Sequence, residues 1–188
     1  MNKRLCSTYV ISSLFSKEEV QKILSYLETV SLVPATVATT ASASQAQPRV
    51  RKSNVTWIPD SEANHWVYER IMSGFTEANE ALFDFEFTNL QEIQYIKYSP
   101  FHYFRSHFDC STDVTSRRKL GISIQLSESS GYLGGAMKVE AAEGTITLPR
   151  GAGDALIFPP YLKHQAKTVY LGSRHCLVTW VESERSFR

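Results

Sequence analysis

The sequence holds 188 residues, enough for one domain with its own core, and 12% of them are aromatic and 21% charged. Lysine and arginine total 20 against 19 acids, a formal net charge of +1, which supplies no electrostatic reason for a nucleic-acid or membrane partner. The three cysteines, Cys6, Cys110 and Cys176, form no CxxC pair, and their odd number argues against a disulfide framework or a zinc site.

Met1 to Phe15 carries two basic residues and a mildly apolar stretch interrupted by serines and Thr8. It reads as a first strand rather than a leader, and a cytoplasmic setting is expected. No apolar run approaches the roughly 20 residues that a membrane-spanning helix needs. Ser16-Lys17-Glu18-Glu19 has the form of a capping box. Val20, Ile23, Leu24 and Leu27 then recur at helical spacing, predicting a helix from 17 to about 31, ended by Pro34. Residues 35–48 are small, polar and aperiodic, so a mobile loop over 35–56, of a length often used for lids, is expected. A second helix is expected from Ser61 to about Leu82, with Trp66, Ile71, Phe75 and Leu82 along one side.

From Leu90 the texture changes to short apolar segments punctuated by glycines. Strands are expected over 92–98, 103–109, 119–126, 136–141, 145–148, 154–158, 164–170 and 174–181. Helices followed by about eight short strands suggest a single α+β domain over 1–188. Helical support would occupy 16–82, and a double-stranded β-helix (jelly-roll) core 90–182.

The chemistry centres on His107-Phe108-Asp109. Residues two apart on a strand project from one face, so His107 and Asp109 would point together and Phe108 away. With a remote histidine they would make the 2-His-1-carboxylate set that leaves positions open on iron(II). A lone HxD is weak, since chance produces it often. His164 is the remote candidate; it follows the run Gly153 to Pro160, a strand entering a proline corner. Ten residues further comes Arg174, sharing a strand face with Cys176, Val178 and Trp180. On an inner face its guanidinium would sit among apolar groups and call for a carboxylate ligand; on the outer face it would simply be solvated.

From about Gln94 to Val181 the chain resembles the prolyl 4-hydroxylase-like branch of 2-oxoglutarate/iron(II) oxygenases, especially the bacterial and phage PKHD type. The matching pieces, in order, are Tyr98, His107-x-Asp109, Arg118 leading into Leu120–Leu126, Tyr132-Leu133-Gly134-Gly135, the strand approach Pro149–Phe158, His164, Gly172-x-Arg174 and Trp180. Arg51-Lys52-Ser53-Asn54-Val55-Thr56-Trp57 is also similar, less distinctively. The resemblance implies iron ligation by His107, Asp109 and His164, and pairing of Arg174 with the far carboxylate of 2-oxoglutarate. It also implies a hydrogen bond from Tyr98 to that cosubstrate. Dioxygen would be the second cosubstrate, ascorbate a supporting reductant, and a prolyl residue of a peptide or protein the target, with succinate and carbon dioxide released.

Two positions depart from the family. Phe104 stands where a tyrosine is usual, with Tyr103 one place earlier, and Gln125 stands where some members have a tyrosine on the cosubstrate. An amide can still donate to a carboxylate, so Gln125 is kept as a cosubstrate candidate. Arg51, Trp57 and Trp180 are substrate-binding candidates, against a solvated charge run for Arg49 to Lys52 and core packing for Trp180. His65, His102 and His175 lack partnered spacing and read as structural or exposed, and Cys110 and Cys176 as small strand residues. Nucleic-acid demethylases share HxD…H but resemble Arg-x-Asn-x-Thr-x-x-Arg after the second histidine; Trp180 stands at that second arginine. A catalytically silent jelly-roll binding module is the alternative from another class. The sequence assigns no oligomeric state.

Overall fold

The computed structural model describes residues 3–40, 43–112 and 114–186. Two helices precede most of the strands. Helix α1, Lys17–Leu27, starts on a full capping box: the Ser16 hydroxyl accepts from the Glu19 amide, and the Glu19 carboxylate accepts from the Ser16 amide. It stops four residues short of the expected end, because the Glu28 amide bonds back to Leu24 and Thr29 turns onto the Tyr26 carbonyl through both amide and hydroxyl. Helix α2, His65–Ala78, begins after a turn closed by Asn64 and His65 on the Ser61 carbonyl, then widens into a π-helical turn over Asn79–Phe83. Val20, Ile23 and Leu27 of α1 and Val67, Ile71 and Phe75 of α2 are their buried stripes. No helix among the described residues is long and apolar enough to cross a membrane.

The strands are β1 (Tyr9–Ile11), β2 (Val33–Pro34), β3 (Val37–Thr40), β4 (Ala43–Gln45), β5 (Arg51–Lys52), β6 (Asn54–Ile58), β7 (Asn89–Leu90) and β8 (Ile93–Tyr98). They continue as β9 (Tyr103–His107), β10 (Arg118–Gln125), β11 (Tyr132–Gly134), β12 (Met137–Ala141) and β13 (Gly144–Thr147). The last are β14 (Ala155–Phe158), β15 (His164–Ala166), β16 (Val169–Gly172) and β17 (Arg174–Glu182). The major sheet runs β1-β14-β10-β17-β8-β6-β2, with β7 also on β17; the minor sheet runs β13-β12-β15-β9-β5. These are the antiparallel sheets of a jelly roll, with sequence neighbours such as β8 and β9 sent to different sheets.

Three expectations change. The segment 35–56 is not one loop. It carries the β3–β4 hairpin, then β5 on the minor sheet and the start of β6 on the major sheet; residues 41 and 42 of it lie outside the described residues. The expected strand 164–170 divides, because β15 pairs with β9 and β12 whereas β16 leaves to pair with β11. The strand through 103–109 ends at His107, where the Asp109 amide turns to the Pro160 carbonyl at 2.9 Å. Of the first fifteen residues, Met1 and Asn2 lie outside the described residues, and β1 is the expected strand.

Strand alternation decides what the major sheet shows to each side. On β10, Leu120, Ile122 and Ile124 face the helices, and on β17 Leu177 and Val181 do the same; all five join the large core with Phe15, Ile71 and Phe75. The opposite face of β17 presents Arg174, Cys176, Val178 and Trp180, and that of β8 presents Gln94, Ile96 and Tyr98. These residues line a cavity of about 870 Å³ into which the minor sheet also contributes side chains.

Candidate active site

His107 ends β9 and His164 opens β15, and the two are direct cross-strand partners. Asp109 lies just past β9, anchored by its amide on Pro160 and by its carbonyl, which accepts from Arg118 Nη1 at 2.9 Å. The ligand atoms of His107, Asp109 and His164 all lie within 4.8 Å of one another. His107 Nε2 is 3.3 Å from Asp109 Oδ1, and His164 Nε2 is 3.2 Å from Oδ2.

The imidazoles are oriented alike. His107 Nδ1 donates to the Arg105 carbonyl at 2.7 Å and His164 Nδ1 to the Leu162 carbonyl at 2.8 Å. A carbonyl can only accept, so each Nδ1 carries a hydrogen and each Nε2 is aimed at Asp109, donating to it when protonated and free to ligate an ion when not. Phe104 stacks on His107 with centroids 3.5 Å apart, and Phe158 tilts against His164 at 4.8 Å. Trp180 Nε1 donates to Asp109 Oδ2 at 3.0 Å. Burial alone would raise the Asp109 pKa, but His164 and His107 beside it outweigh burial and hold the carboxyl well below its usual value. Burial likewise opposes the charged form of His164, and the Asp109 carboxylate reverses that and raises it. Two imidazole nitrogens and one carboxylate converging on a cavity fit a divalent first-row metal such as iron(II), which would displace any Nε2 proton on binding.

Deeper in the same cavity lies Arg174, 2% exposed. Its Nε donates to Gln125 Oε1 at 3.0 Å, its guanidinium lies 5.7 Å from the Tyr98 ring centroid, and its buried Nη2 has no hydrogen-bond partner among the described residues. A buried guanidinium nitrogen without an acceptor costs free energy that a ligand carboxylate would recover. Tyr98 is buried beside it, and burial pushes its hydroxyl up to about 12, so it is a donor at any ordinary pH.

Gln125 does not line the cavity. Its amide nitrogen donates to the Ser127 carbonyl at 3.0 Å and to Tyr132 Oη at 3.2 Å, so both of its hydrogens are committed within the protein. Arg51, also lining the cavity, donates to Ser53 Oγ at 3.1 Å and Gln94 Oε1 at 2.9 Å and lies over the Phe104 ring. Trp57, 43% exposed, also lines the cavity. The structure thus brings His107, Asp109, His164, Arg174, Tyr98, Arg51, Trp57 and Trp180 to one cavity, and sets Gln125 behind it.

The remaining histidines lie elsewhere. His65 is exposed near Asp60 and Glu69, His102 is partly buried, and His175 takes a 2.6 Å bond from Tyr95 Oη on the helix-facing side of β17. The sequence reading gave no role to Phe104 beyond its departure from the family, nor to Arg118, whose guanidinium lies 3.7 Å from the Trp180 ring centroid. The contact between Arg118 and Trp180 joins β10 to β17, strands that are neighbours only in the folded sheet.

Residues 93–182 match the family model for the 2OG-Fe(II) oxygenase superfamily. A PKHD-type hydroxylase of Idiomarina loihiensis is 31% identical over 87 residues, 46% of this chain; the match spans only 40% of that relative's length. Among solved structures, a Pseudomonas putida prolyl-4-hydroxylase superposes with a TM-score of 0.75 at 18% identity, covering 94% of this chain and 92% of that one. A Trichoplax adhaerens prolyl hydroxylase in complex with a hypoxia inducible factor peptide fragment gives 0.76 at 16% identity, covering 95% and 84%. At such identities the superpositions speak to fold, while the family model's match over 93–182 takes in the triad and Arg174. Residues 93–182, just under half of the chain, match the 2OG-Fe(II) oxygenase superfamily, and the chain shares the fold of the solved prolyl hydroxylases.

Proposed function

We propose that the chain is an iron(II)- and 2-oxoglutarate-dependent dioxygenase that hydroxylates an aliphatic carbon, of a prolyl residue in a peptide or protein, releasing succinate and carbon dioxide. The observation that carries this reading is the pairing, in one cavity, of a His–Asp–His donor set with a buried arginine whose Nη2 lacks an acceptor among the described residues. A metal site alone fits many chemistries. Adding a carboxylate-gripping cation selects a dicarboxylic keto acid as the second guest.

His107 Nε2, His164 Nε2 and one Asp109 oxygen would hold the ion, and Arg174 would hold the far carboxylate of the cosubstrate. Iron(II) bound there with 2-oxoglutarate supplies oxidative decarboxylation by dioxygen, one oxygen atom going to succinate and the other to the substrate carbon. The chain's own residues orient and shield. Trp180 and Arg118 fix Asp109 through its carboxylate and its carbonyl respectively, Tyr98 offers a hydroxyl beside Arg174, and Ile96, Met137 and Cys176 keep the inner cavity apolar. Arg51 and the partly exposed Trp57 also line the cavity and would meet a substrate there.

A peptide or protein substrate is supported by the cavity's volume of about 870 Å³ and by the peptide-bound neighbour. The test is incubation with iron(II), ascorbate, 2-oxoglutarate and proline-containing peptides, with succinate quantified and peptide mass followed. Peptide-dependent succinate and a gain of one oxygen on proline are expected. Succinate at background with every peptide would refute the prolyl reading.

A further inference from the structure

Arg174 is held in a particular way. A guanidinium can grip a carboxylate side-on, through Nε and Nη2, or end-on, through its two terminal nitrogens. Here Nε is taken by Gln125 Oε1. Gln125 cannot reverse its amide without placing its NH2 against the Arg174 donor and its oxygen against the Ser127 carbonyl, so only one orientation satisfies its three contacts. Gln125 is 1% exposed, which makes every one of those bonds costly to lose.

Tyr132, the acceptor for Gln125, is itself pinned. Arg150 lies over its ring at 4.2 Å and donates from Nη2 to its carbonyl at 2.9 Å. Gly135 closes the other side with φ +64°; a Cβ there would meet Val169 Cγ2 at 2.8 Å, Tyr132 Cε2 at 3.2 Å and Arg174 Cδ at 3.3 Å. The absence of that Cβ lets tyrosine and arginine pack together.

We propose that Gln125, oriented by Ser127 and Tyr132, is a positioning residue that occupies Arg174 Nε and so presents only the terminal edge of the guanidinium to a ligand carboxylate. It replaces direct contact with the cosubstrate by control of the group that makes contact. The proposal rests on the cosubstrate reading above. It predicts that Gln125 affects recognition of the distal carboxylate and nothing else in the site.

The test is calorimetric titration of the purified chain loaded with manganese(II), a redox-inert stand-in, using 2-oxoglutarate and 2-oxopentanoate. The second probe keeps the keto-acid head and chain length but carries a methyl in place of the distal carboxylate. Wild type should prefer 2-oxoglutarate. Gln125→Leu should weaken 2-oxoglutarate about tenfold, as expected for losing a buried bond to a charged group, and leave manganese and 2-oxopentanoate within about twofold. Gln125→Met, close to glutamine in size and without the amide, should weaken 2-oxoglutarate to the same degree; it decides the matter if the leucine variant does not fold. Unchanged 2-oxoglutarate affinity, or an equal loss for both keto acids and the metal, would overturn the positioning role. A wild-type chain that does not prefer 2-oxoglutarate over 2-oxopentanoate would instead overturn the cosubstrate reading, and this proposal with it.

Discussion

The Trp180 indole nitrogen donates to the same Asp109 oxygen that lies 3.2 Å from His164 Nε2, so one carboxylate oxygen is oriented from two sides. Groups of this kind set how well a carboxylate is aimed at an ion. Trp180→Phe keeps the aromatic surface beneath Arg118 and removes only the N–H. Manganese(II) affinity should fall about tenfold, read by titration under electron paramagnetic resonance; an unchanged affinity would show that the bond does not orient Asp109. Across the sheet, His175 carries a different prediction. Burial, with Lys97 nearby, pushes its pKa down to about 4, and Tyr95 donates to its ring. Between that value and about 6.5 the unfolded chain binds the extra proton, so this contribution to stability is full above pH 6.5 and is lost as pH falls through 4. Urea unfolding at pH 7 and pH 4.5 should show wild type losing more stability than His175→Gln, whose amide can still accept from Tyr95. Parallel losses would exclude the effect.

Among the elements, the start of α1 was fully legible, because a capping box writes its bonds into four consecutive residues. Its end was not; the stop comes from Thr29 folding back on Tyr26, a contact that no periodicity announces. Ser16→Ala should cost about 1 kcal/mol of stability, seen as a lower urea midpoint with an unchanged slope, and should leave metal affinity alone because α1 packs on the far side of the major sheet. A loss of metal affinity would mean that helix and site are coupled. The segment 35–56 misled for a related reason. Small polar residues predict poor burial, but β5 needs little of its own, since Arg51 pairs with Phe104 in register and its side chain is covered by Ser53 and Gln94.

For the whole molecule, the major-sheet core strands stood out in the sequence, whereas their order did not. Apolar alternation on β10 and β17 reports one buried face; the partner across that face depends on crossovers between sheets, and no local pattern encodes those. The site shows the same division. The types His107, Asp109, His164 and Arg174 suggested the chemistry, and the spacing of β17 placed Arg174 with Trp180, but the part played by Gln125 emerged only when Tyr132 and Arg174 were seen on either side of it.

The His107–His164 pairing reaches beyond catalysis. The two residues are 57 apart (164 minus 107), and they meet because β9 and β15 are in one register. An ion bound to both is a removable crosslink: it closes that long loop, and a slip of one residue in the ladder would break it. Ligand binding to the folded form alone stabilises it by about 2.7 kcal/mol at one hundred times the dissociation constant, which for a chain of this size raises the Tm by about 5–10 °C. Manganese(II) should produce that rise in wild type and little of it in His107→Ala, as followed by scanning calorimetry. Equal rises in both would place the stabilising ion elsewhere. The strand pair that aims the chemistry is in this sense also a latch, which metal fastens and a chelator releases.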